Sequence, residues 1–357
     1  MFQPMGKAMC LVRGSINIDD FFYVKNIVTP GETISSERYE RRAGGKGANQ
    51  ASAVAKAGGS VALVGGCGVV VEWVTIIPDQ PTGRAIIQVS SEGENLIVLL
   101  KGANFVPICV PLQTIFNTRP ITHVLLQNEI PWHDTPEYLE AANTSHVTTI
   151  FNPSPLPLRE EITNFPWSEL DWLIINQTEA RGILESFGSK PTTELVSCPQ
   201  SLDDAPQTAR TAYTELVGLR TCPTLSSRVN IVCTLGPDGV LAMISGAHAA
   251  RVGTPNNDMP HSHQDADSFV LYVPAAQLEG DVRDSTGAGD CFAGYLVASL
   301  MNIHERHGPG YKISQDNART LLRRCVQAAG MSVERRGAME SQPNSLEVDE
   351  RLQKCVY

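Results

Sequence analysis

The chain has 357 residues, a formal net charge of −10, 42% hydrophobic residues and 18% charged residues. This composition supplies ample apolar material for a core and excludes global disorder. The acidic balance, without a stripe of Lys and Arg, argues against nucleic acid or a membrane surface as partner and favours a small ligand.

The nine cysteines are odd in number, scattered and without a Cys-x-x-Cys pair, which predicts reduced thiols in the cytoplasm. The N-terminus lacks the features of a signal peptide, and no apolar run reaches the length of a membrane span. His261 and His263 lie in a polar stretch that favours a surface loop over a metal site. We therefore expect a cytoplasmic protein, with the nucleus as a further compartment.

Short apolar runs bounded by turn residues alternate with helical patterns along the chain. The predicted strands are 9–14, 61–64, 123–127, 147–151, 172–175 and 229–235, and the predicted helices are 48–57, 137–142, 179–187, 291–301 and 317–333. This alternation predicts an α/β fold with a doubly wound, mostly parallel sheet between two helical layers, filled by one domain over 1–357. Ligands of such folds bind beyond the carboxyl ends of the strands.

Three stretches with a different period, about 20–24, 32–43 and 83–103, predict a small separate β-sheet. Its clearest part is a hairpin in which residues 84–89 return as 95–100. The segments 188–228 and 246–268 are rich in Pro, Ser, Thr and Asn and are predicted to be surface insertions.

The stretch from Asp284 to Asp290 places two glycines and a carboxylate before an apolar helical segment. A glycine-rich turn entering a helix directs free N–H groups at one point, which suits a phosphate oxygen. Asp290 in the first turn can accept the proton of an attacking hydroxyl while Gly287, Ala288 and Gly289 hold phosphoryl charge. Alone, the stretch also fits an ordinary turn with an acidic helix cap.

Two polar segments near the N-terminus point to a polyol. Residues 14–19 include Asn17 and Asp19 at the end of a strand, and 44–51 set Lys46 and Asn49 among glycines before an Ala-rich helix. Amide, carboxylate and amine groups near a closely approaching backbone suit hydroxyls, which both donate and accept. Each segment alone is equally compatible with turn chemistry or a helix entry.

Together, segments 44–51 and 284–290 resemble the two signatures of the pfkB-type carbohydrate and purine kinases, specifically the ribokinase group. Further landmarks occur in family order from about residue 9 to about residue 343. The resemblance implies a ribokinase-like, Rossmann-like fold with a β-sheet lid, and transfer of phosphate from ATP to the 5-hydroxyl of D-ribose. It also implies Mg²⁺ and K⁺ as cofactors, and pairing of lids into a homodimer.

Carried over by position, the resemblance implies three sets of site residues. The sugar would be held by Asn17, Asp19, Gly45, Lys46, Asn49 and Glu129, with Asp290 as the base and Gly287, Ala288 and Gly289 as the anion hole. The nucleotide would be held by Asn176, Thr234, Gly236, Gly239 and Gly289, with Glu179 binding Mg²⁺ through water. The monovalent cation would be held by Asp284, Thr286, Ser332, Arg335, Gly337 and Ser341. Asn176 and Glu179 equally fit a capped helix start.

The chain departs from the family pattern after Gly68. The next strand follows almost at once, so about fifteen residues, enough for one crossover helix, are missing. None of the implied site residues lies there, but the loss should expose an apolar strip of sheet. Three interpretations remain: a ribose kinase, a kinase for another small sugar or a nucleoside, and an impaired relative that binds sugar or nucleotide without turnover.

Overall fold

The computed structural model describes residues 7–67, 74–77, 79–92, 94–108, 111–188, 199–222, 224–225, 228–245 and 268–354. Within those ranges, no helix combines the length and apolar character that crossing a membrane requires. In the described part of the chain, cysteines 10, 233, 291 and 325 have free thiols and are buried. His261, His263 and nearly all of the predicted insertion 246–268 lie outside the described residues.

The described strands and helices are as follows. The strands are β1 (Met9–Arg13), β2 (Asn17–Tyr23), β3 (Arg38–Gly44), β4 (Ser60–Cys67), β5 (Val74–Ile76), β6 (Gly83–Val89), β7 (Asn95–Leu100), β8 (Ile121–Gln127), β9 (Thr148–Asn152), β10 (Trp172–Asn176), β11 (Asn230–Thr234), β12 (Val240–Ile244) and β13 (Phe269–Val273). The helices are α1 (Lys46–Lys56), α2 (Leu112–Thr118), α3 (Asp134–Thr144), α4 (Arg159–Thr163), α5 (Gln177–Ser186), α6 (Gln207–Arg220), α7 (Ala288–His307), α8 (Gln315–Val333) and α9 (Ser345–Lys354).

The large sheet has the order β13-β12-β11-β10-β9-β8-β1-β4-β5 among the described residues. Its pairs are parallel from β5 through β11, and β12 pairs antiparallel with both β11 and β13. One core packs α2 to α6 on one face, and a second packs α1, α7, α8 and α9 on the other. The predicted three-layer, doubly wound α/β architecture is confirmed.

A four-stranded sheet in the order β3-β2-β6-β7 forms the lid. The antiparallel pairs β2–β3 and β6–β7 flank a parallel β2–β6 pair. Phe21, Ala85 and Ile87 form its small apolar cluster. Asn17 and Asp19, predicted at the end of the first strand of the main sheet, lie in lid strand β2 instead, because the chain leaves the main sheet after Arg13.

The described part of the predicted surface insertion 188–228 contains helix α6. Four of its side chains, Ala209, Ala212, Leu216 and Leu219, are fully buried against the core on the α3–α5 side of the sheet. Their spacing of three or four residues places them on one helical face. The segment therefore supplies part of a helical layer.

The far edge of the large sheet carries a wide groove. Strands β4 and β5 pair in parallel, with Gly65 opposite Val74, although only residues 68–73 separate them. A parallel connection normally uses a crossover of at least about a dozen residues. A cavity of about 920 Å³ runs along this edge, lined by Ala51 and Ala55 of α1 and by Val61 and Leu63 of β4. A helix in a right-handed crossover between β4 and β5 would pack on this face of the sheet, beside α1.

Candidate active site

The polar residues of the candidate site follow the carboxyl ends of adjacent strands. Ser15 follows β1 and Glu129 follows β8, whereas Asn152, Asn176 and Thr234 end β9, β10 and β11. The chain moves outward from β1 to β4 and β5 and then returns to β8 on the other side, so the strand order reverses at β1. Such a reversal opens a crevice at the carboxyl edge, where ligands of α/β sheets bind.

Helix α1 begins in direct contact with the end of β1. A Cβ on Gly47 would lie 2.4 Å from the carbonyl carbon of Gly14, so no larger residue fits there. The N–H of Ala48 donates to the Ser15 carbonyl at 2.9 Å, and the N–H of Lys46 donates to Glu129 Oε2 at 3.1 Å. The glycine-rich segment therefore brings the first turn of α1 against the ends of β1 and β8.

Asp290 is held by a buried network of amide side chains. Asn49 Nδ2 donates to Asp290 Oδ2 at 3.0 Å, and Gln50 Nε2 donates to Asp290 Oδ1 at 2.9 Å. Gln50 Nε2 also reaches Asn152 Oδ1 at 3.0 Å, while Gln50 Oε1 accepts from Gln127 Nε2 at 2.6 Å. With 6% of its surface exposed, Asp290 has a fixed orientation before any substrate binds.

The residues of the predicted anion hole lie at the start of α7. Gly287 has a φ of 76°, and a Cβ there would lie 2.8 Å from the Cα of Ala338, so glycine is required. The N–H of Ala288 donates to Ser285 at 3.3 Å, whereas those of Gly287 and Gly289 have no acceptor among the described residues. Two free donors at a helix N-terminus suit a phosphoryl oxygen.

Lys46 supplies the positive charge of the site. Burial lowers the pKa of its ammonium group, but the carboxylates of Asp290, Glu129 and Glu179 outweigh burial and raise the pKa overall. Lys46 therefore stays protonated. One ammonium group faces these three carboxylates, so the site has room for further positive charge.

Glu179 combines a capping role with the chemistry of a magnesium site. The N–H of Asn176 donates to Glu179 Oε2 at 2.9 Å, and the N–H of Glu179 donates to Asn176 Oδ1 at 2.8 Å. Burial raises the pKa of Glu179, whereas hydrogen bonds from Asn176 and Ser154 and the charge of Lys46 oppose that rise. Buried carboxylate and amide oxygens in an acidic pocket fit Mg²⁺, which prefers oxygen ligands and retains water.

The sugar end contains acceptor oxygens without partners. Asn104 Nδ2 donates to Asn17 Oδ1 at 2.7 Å, but Asp19 Oδ1 and Asn49 Oδ1 are buried and make no hydrogen bond to any described residue. Burial, followed by the charges of Glu129, Asp20, Asp290 and Glu340, raises the pKa of Asp19 to about 7. Buried acceptors of this kind suit the hydroxyl groups of a polyol.

Two cavities lie at the site, one lined by Lys46 and the other by Glu129, whose carboxylate accepts a hydrogen bond from the N–H of Lys46. One of about 170 Å³ is lined by Lys46, Asn152, Ser154, Asn176, Glu179, Thr234, Gly287, Gly289 and Asp290, with apolar residues of β10. The other, of about 310 Å³, is lined by Asn17, Asn104, Asn128 and Glu129 together with Leu99, Phe105, Trp132 and Leu156, among others. The first therefore brings together Asp290 and most of the predicted hole, magnesium and nucleotide residues. The second is lined by two of the predicted sugar residues, Asn17 and Glu129, whereas Asp19, Gly45 and Asn49 line neither cavity.

Of the predicted nucleotide loop, Thr234 lines the first cavity, whereas Gly236 and Gly239 and the predicted cation residues do not. Gly236 and Gly239, with φ of 58° and 97°, flank a single turn after Thr234. Asp284 joins two turns, since its Oδ1 accepts from the N–H of Thr286 and its Oδ2 from the N–H of Gly337.

The remaining cation residues contribute differently. The hydroxyls of Ser332 and Ser341 donate to Ala329 and Ala338 carbonyls, and the Arg335 side chain pairs with Glu347, which leaves only its backbone for the site. Carboxylate, hydroxyl and carbonyl oxygens in these two turns fit a hard monovalent cation.

Sequence reasoning did not assign a role to Gln50, Gln127, Asn152, Ser15 or Asn104. Ser15 Oγ donates to Glu129 Oε2 at 2.5 Å, and Asn104 exchanges hydrogen bonds with the backbone of residue 16 and with Asn17. Gln50 was available as a signal, because it is an amide directly beside the assigned residue Asn49. Gln127 lies two residues before the assigned Glu129.

The sequence matches the pfkB family of carbohydrate kinases over residues 7–345. It is 39% identical to a ribokinase from Cryptococcus neoformans var. grubii serotype A, solved in complex with ADP, with a TM-score of 0.74 over 96% of this chain and 99% of that one. A ribokinase structure from Giardia lamblia is 26% identical, with a TM-score of 0.73 over 98% and 99% of the two chains. The ribokinase of Staphylococcus aureus (strain COL) is 26% identical, over 95% of this chain and 98% of its own length.

Proposed function

This chain belongs to the pfkB family of carbohydrate kinases and is an ATP-dependent sugar kinase, and we propose that its substrate is D-ribose, which it converts to ribose 5-phosphate. The observation that carries the proposal is the position of Asp290. Its carboxylate is fixed by Asn49 and Gln50 in the same cavity as the free N–H groups of Gly287 and Gly289. A proton acceptor beside a phosphate hole is the arrangement that phosphoryl transfer to an alcohol requires.

The chemistry follows from these groups. Asp290 accepts the proton of the 5-hydroxyl, and the hydroxyl oxygen attacks the γ-phosphorus of ATP in line. The new O–P bond forms as the bond from phosphorus to the leaving ADP oxygen breaks. Gly287 and Gly289 donate to the phosphoryl oxygens, and Lys46 contributes a positive charge.

Mg²⁺ would be held near Asn176 and Glu179, where it would neutralise phosphate charge. A monovalent cation at Asp284 and Gly337 would order the turn that carries Gly287. Both assignments rest on oxygen donors that suit hard cations and on the excess of carboxylates over ammonium groups in the site.

Ribose is favoured because the acceptors at the sugar end outnumber the protein donors. Asp19 Oδ1 and Asn49 Oδ1 each require a hydroxyl donor once water leaves the site. A pentose supplies several such donors, and Lys46 and Glu129, which line the two cavities, would hold it. The buried, free thiols of Cys10, Cys233, Cys291 and Cys325 support a reducing compartment, and we propose that it is the cytoplasm.

The test is turnover of purified protein with ATP and Mg²⁺ against a panel of ribose, 2-deoxyribose, fructose and ribonucleosides, in potassium and in sodium buffer. We expect phosphorus NMR to identify ribose 5-phosphate as the main product and the rate to be higher in potassium. Preferred turnover of any other substrate in the panel would contradict the ribose proposal while leaving the kinase class intact.

A nucleoside is the second candidate substrate because of the larger cavity. Its wall beyond Asn17 and Glu129 is apolar and aromatic, with Phe105, Trp132 and Leu156. An apolar chamber next to a sugar site has space for a base attached to the sugar. Faster turnover of a ribonucleoside than of ribose in the same panel would establish this alternative.

An impaired relative is the third candidate because of the groove along β4. Its apolar walls at Ala55, Val61 and Leu63 lack the helix that a β4–β5 crossover would provide. Calorimetric binding of ribose without turnover would support impairment. A variant with a 15-residue amphipathic helix inserted after Gly68 should then be more stable and active, whereas an insertion of the same length rich in Gly and Ser should not.

The lid provides a surface for the proposed homodimer. Ile86, Leu96 and Val98 are exposed by 44%, 39% and 55% on its outer face, and β7 ends the described lid sheet. Apolar patches and strand edges of this kind favour association. We expect light scattering to give a dimer mass that Val98→Lys reduces to the monomer mass, and a monomeric unsubstituted protein would contradict the proposal.

A further inference from the structure

Arg42 connects the lid to the turn that carries the phosphate hole. It lies on β3 directly opposite Asp19 in the antiparallel β2–β3 register, so the two side chains project from the same face of the lid. The guanidinium lies 5.3 Å from the ring centre of Phe21 on that face, and Nη2 pairs with Glu40. The lid therefore fixes this side chain on the face that carries Asp19.

The second amino nitrogen, Nη1, reaches the main domain. It lies 3.9 Å from Asp284 Oδ2, and it is buried without a hydrogen-bond acceptor among the described residues. A Cβ on Gly337 would lie 2.8 Å from Nη1 and 2.6 Å from Glu340 Oε2, so Glu340 lies close by. The side chains of Arg42 and Asp284 are only 15% and 20% exposed, which makes their attraction stronger than that of a surface pair.

Asp284 links Arg42 to the phosphate hole. Its two oxygens accept the N–H groups of Thr286 and Gly337 at 3.0 and 2.9 Å. Thr286 directly precedes Gly287, and Ala338, next to Gly337, lies against Gly287. The carboxylate that Arg42 approaches therefore sets the positions of both segments that shape the hole.

We propose that Arg42 is a positioning residue that couples sugar binding under the lid to the assembly of the phosphate hole. Sugar held by Asp19 keeps strand β3 in place, and Arg42 on β3 then stabilises Asp284 and the turn leading to Gly287. The proposal rests on the proposed function as a sugar kinase. It requires sugar and nucleotide to strengthen each other's binding by the same factor, because coupling between two sites is reciprocal.

The test compares the binding of ADP, measured by calorimetry with and without ribose, in four proteins: the unsubstituted chain, Arg42→Gln, Arg42→Lys and Arg41→Gln. Arg41 is the matched control because it pairs with Asp20 at 2.9 Å on the opposite face of the lid. We expect ribose to tighten ADP binding about fivefold or more in the unsubstituted chain and in Arg41→Gln, in the range typical of coupled sites.

In Arg42→Gln we expect ribose to lose most of its tightening effect on ADP binding. We also expect kcat to fall about tenfold, with a smaller change in the KM for ribose. Arg42→Lys should recover part of the coupling and part of kcat, because lysine restores the positive charge but not the planar shape of the guanidinium group. The effects of Arg42→Gln and Asp284→Asn should be less than additive, since both remove the same contact.

Coupling in Arg42→Gln equal to that of the unsubstituted chain would overturn the proposal, as would full additivity with Asp284→Asn. If ribose is not turned over at all, the proposed substrate fails, and the same coupling experiment is run with the sugar or nucleoside that is turned over. A loss confined to thermal stability, with coupling intact, would show that Arg42 acts only in folding.

Discussion

The phosphate end and the sugar end of the site are built in opposite ways. At the phosphate end, both oxygens of Asp290 accept hydrogen bonds from buried amides, and Glu179 is fixed by its capping box with Asn176. At the sugar end, acceptor oxygens of Asp19 and Asn49 are buried without partners. At the phosphate end the carboxylate of Asp290 is fully paired before substrate arrives, whereas at the sugar end buried acceptors lack donors.

This difference separates rate from affinity. A base and an anion hole that are already oriented need no rearrangement at the moment of reaction, so they act mainly on kcat. Unpaired acceptors raise the free energy of the empty site and are satisfied only by hydroxyl groups, so they act on sugar affinity and selectivity. Substitutions at the two ends should therefore change different kinetic parameters.

The largest effect should come from Asp290→Asn. The amide keeps the size of the side chain but cannot accept the hydroxyl proton, so we expect kcat to fall on the order of a hundredfold or more while the KM for the sugar changes little. Asp316→Asn is the matched control, because Asp316 also lies in the first turn of a helix, α8, and lines neither cavity of the site. Steady-state kinetics of both variants measures the contrast, and an Asp290→Asn enzyme with unchanged kcat would remove Asp290 as the base.

A smaller effect on catalysis, with an unusual effect on stability, should follow from Asp19→Asn. Loss of a charged acceptor should raise the KM for the sugar at least about tenfold, with less change in kcat. Burial and neighbouring carboxylates raise the pKa of Asp19 to about 7, so the folded protein keeps this proton up to about pH 7, whereas the unfolded chain releases it near pH 4. The free energy of unfolding contributed by Asp19 therefore falls as the pH rises from about 4 to 7.

Asp19→Asn should accordingly stabilise the protein at pH 8 by about 1 to 2 kcal/mol and leave it nearly unchanged at pH 4. Asp20→Asn provides the opposite sign: burial favours the protonated form of Asp20, but hydrogen bonds from Tyr39 and Arg41 and the charges of Arg41 and Arg84 lower its pKa overall. That substitution should destabilise the protein at pH 8. Thermal unfolding at both pH values distinguishes the two substitutions. Destabilisation by Asp19→Asn at pH 8 would contradict the raised pKa of Asp19.

Much of the fold could be predicted from the sequence because its strands are apolar runs in a regular alternation. The turn before Asp290 and the glycines at 44–47 could also be predicted, because the backbone approaches other atoms so closely there that only glycine fits. Helix α6 was not predicted, because Gln, Thr and Arg dilute its apolar positions even though Ala209, Ala212 and Leu216 have helical spacing. The polar composition of the segment favoured a surface insertion, although the spacing of its apolar residues is helical.

The amide network could not be predicted for a different reason. Gln50 contacts Gln127, Asn152 and Asp290, which are separated from it by 77, 102 and 240 residues. A buried amide is specified by partners that only the tertiary fold brings together, and its sequence context resembles that of an exposed glutamine on a helix. The contact between Arg42 and Asp284 is hidden in the same way, because it joins the lid to a turn far along the chain.

The smallest of the three effects on the kinetic parameters should come from Gln50→Leu, which tests how the phosphate end is organised. Leucine nearly fills the volume but removes the donor to Asp290 Oδ1 and leaves Gln127 Nε2 without its acceptor, so we expect kcat to fall about tenfold and unfolding to require about 1 to 3 kcal/mol less. Ser52→Ala is the matched control on α1, because Ser52 Oγ donates to Gln342 Oε1 and to none of the amide side chains that hold Asp290. If Gln50→Leu raised the KM for the sugar instead of lowering kcat, the two ends would not be independent, and the prior orientation of Asp290 would depend on the sugar.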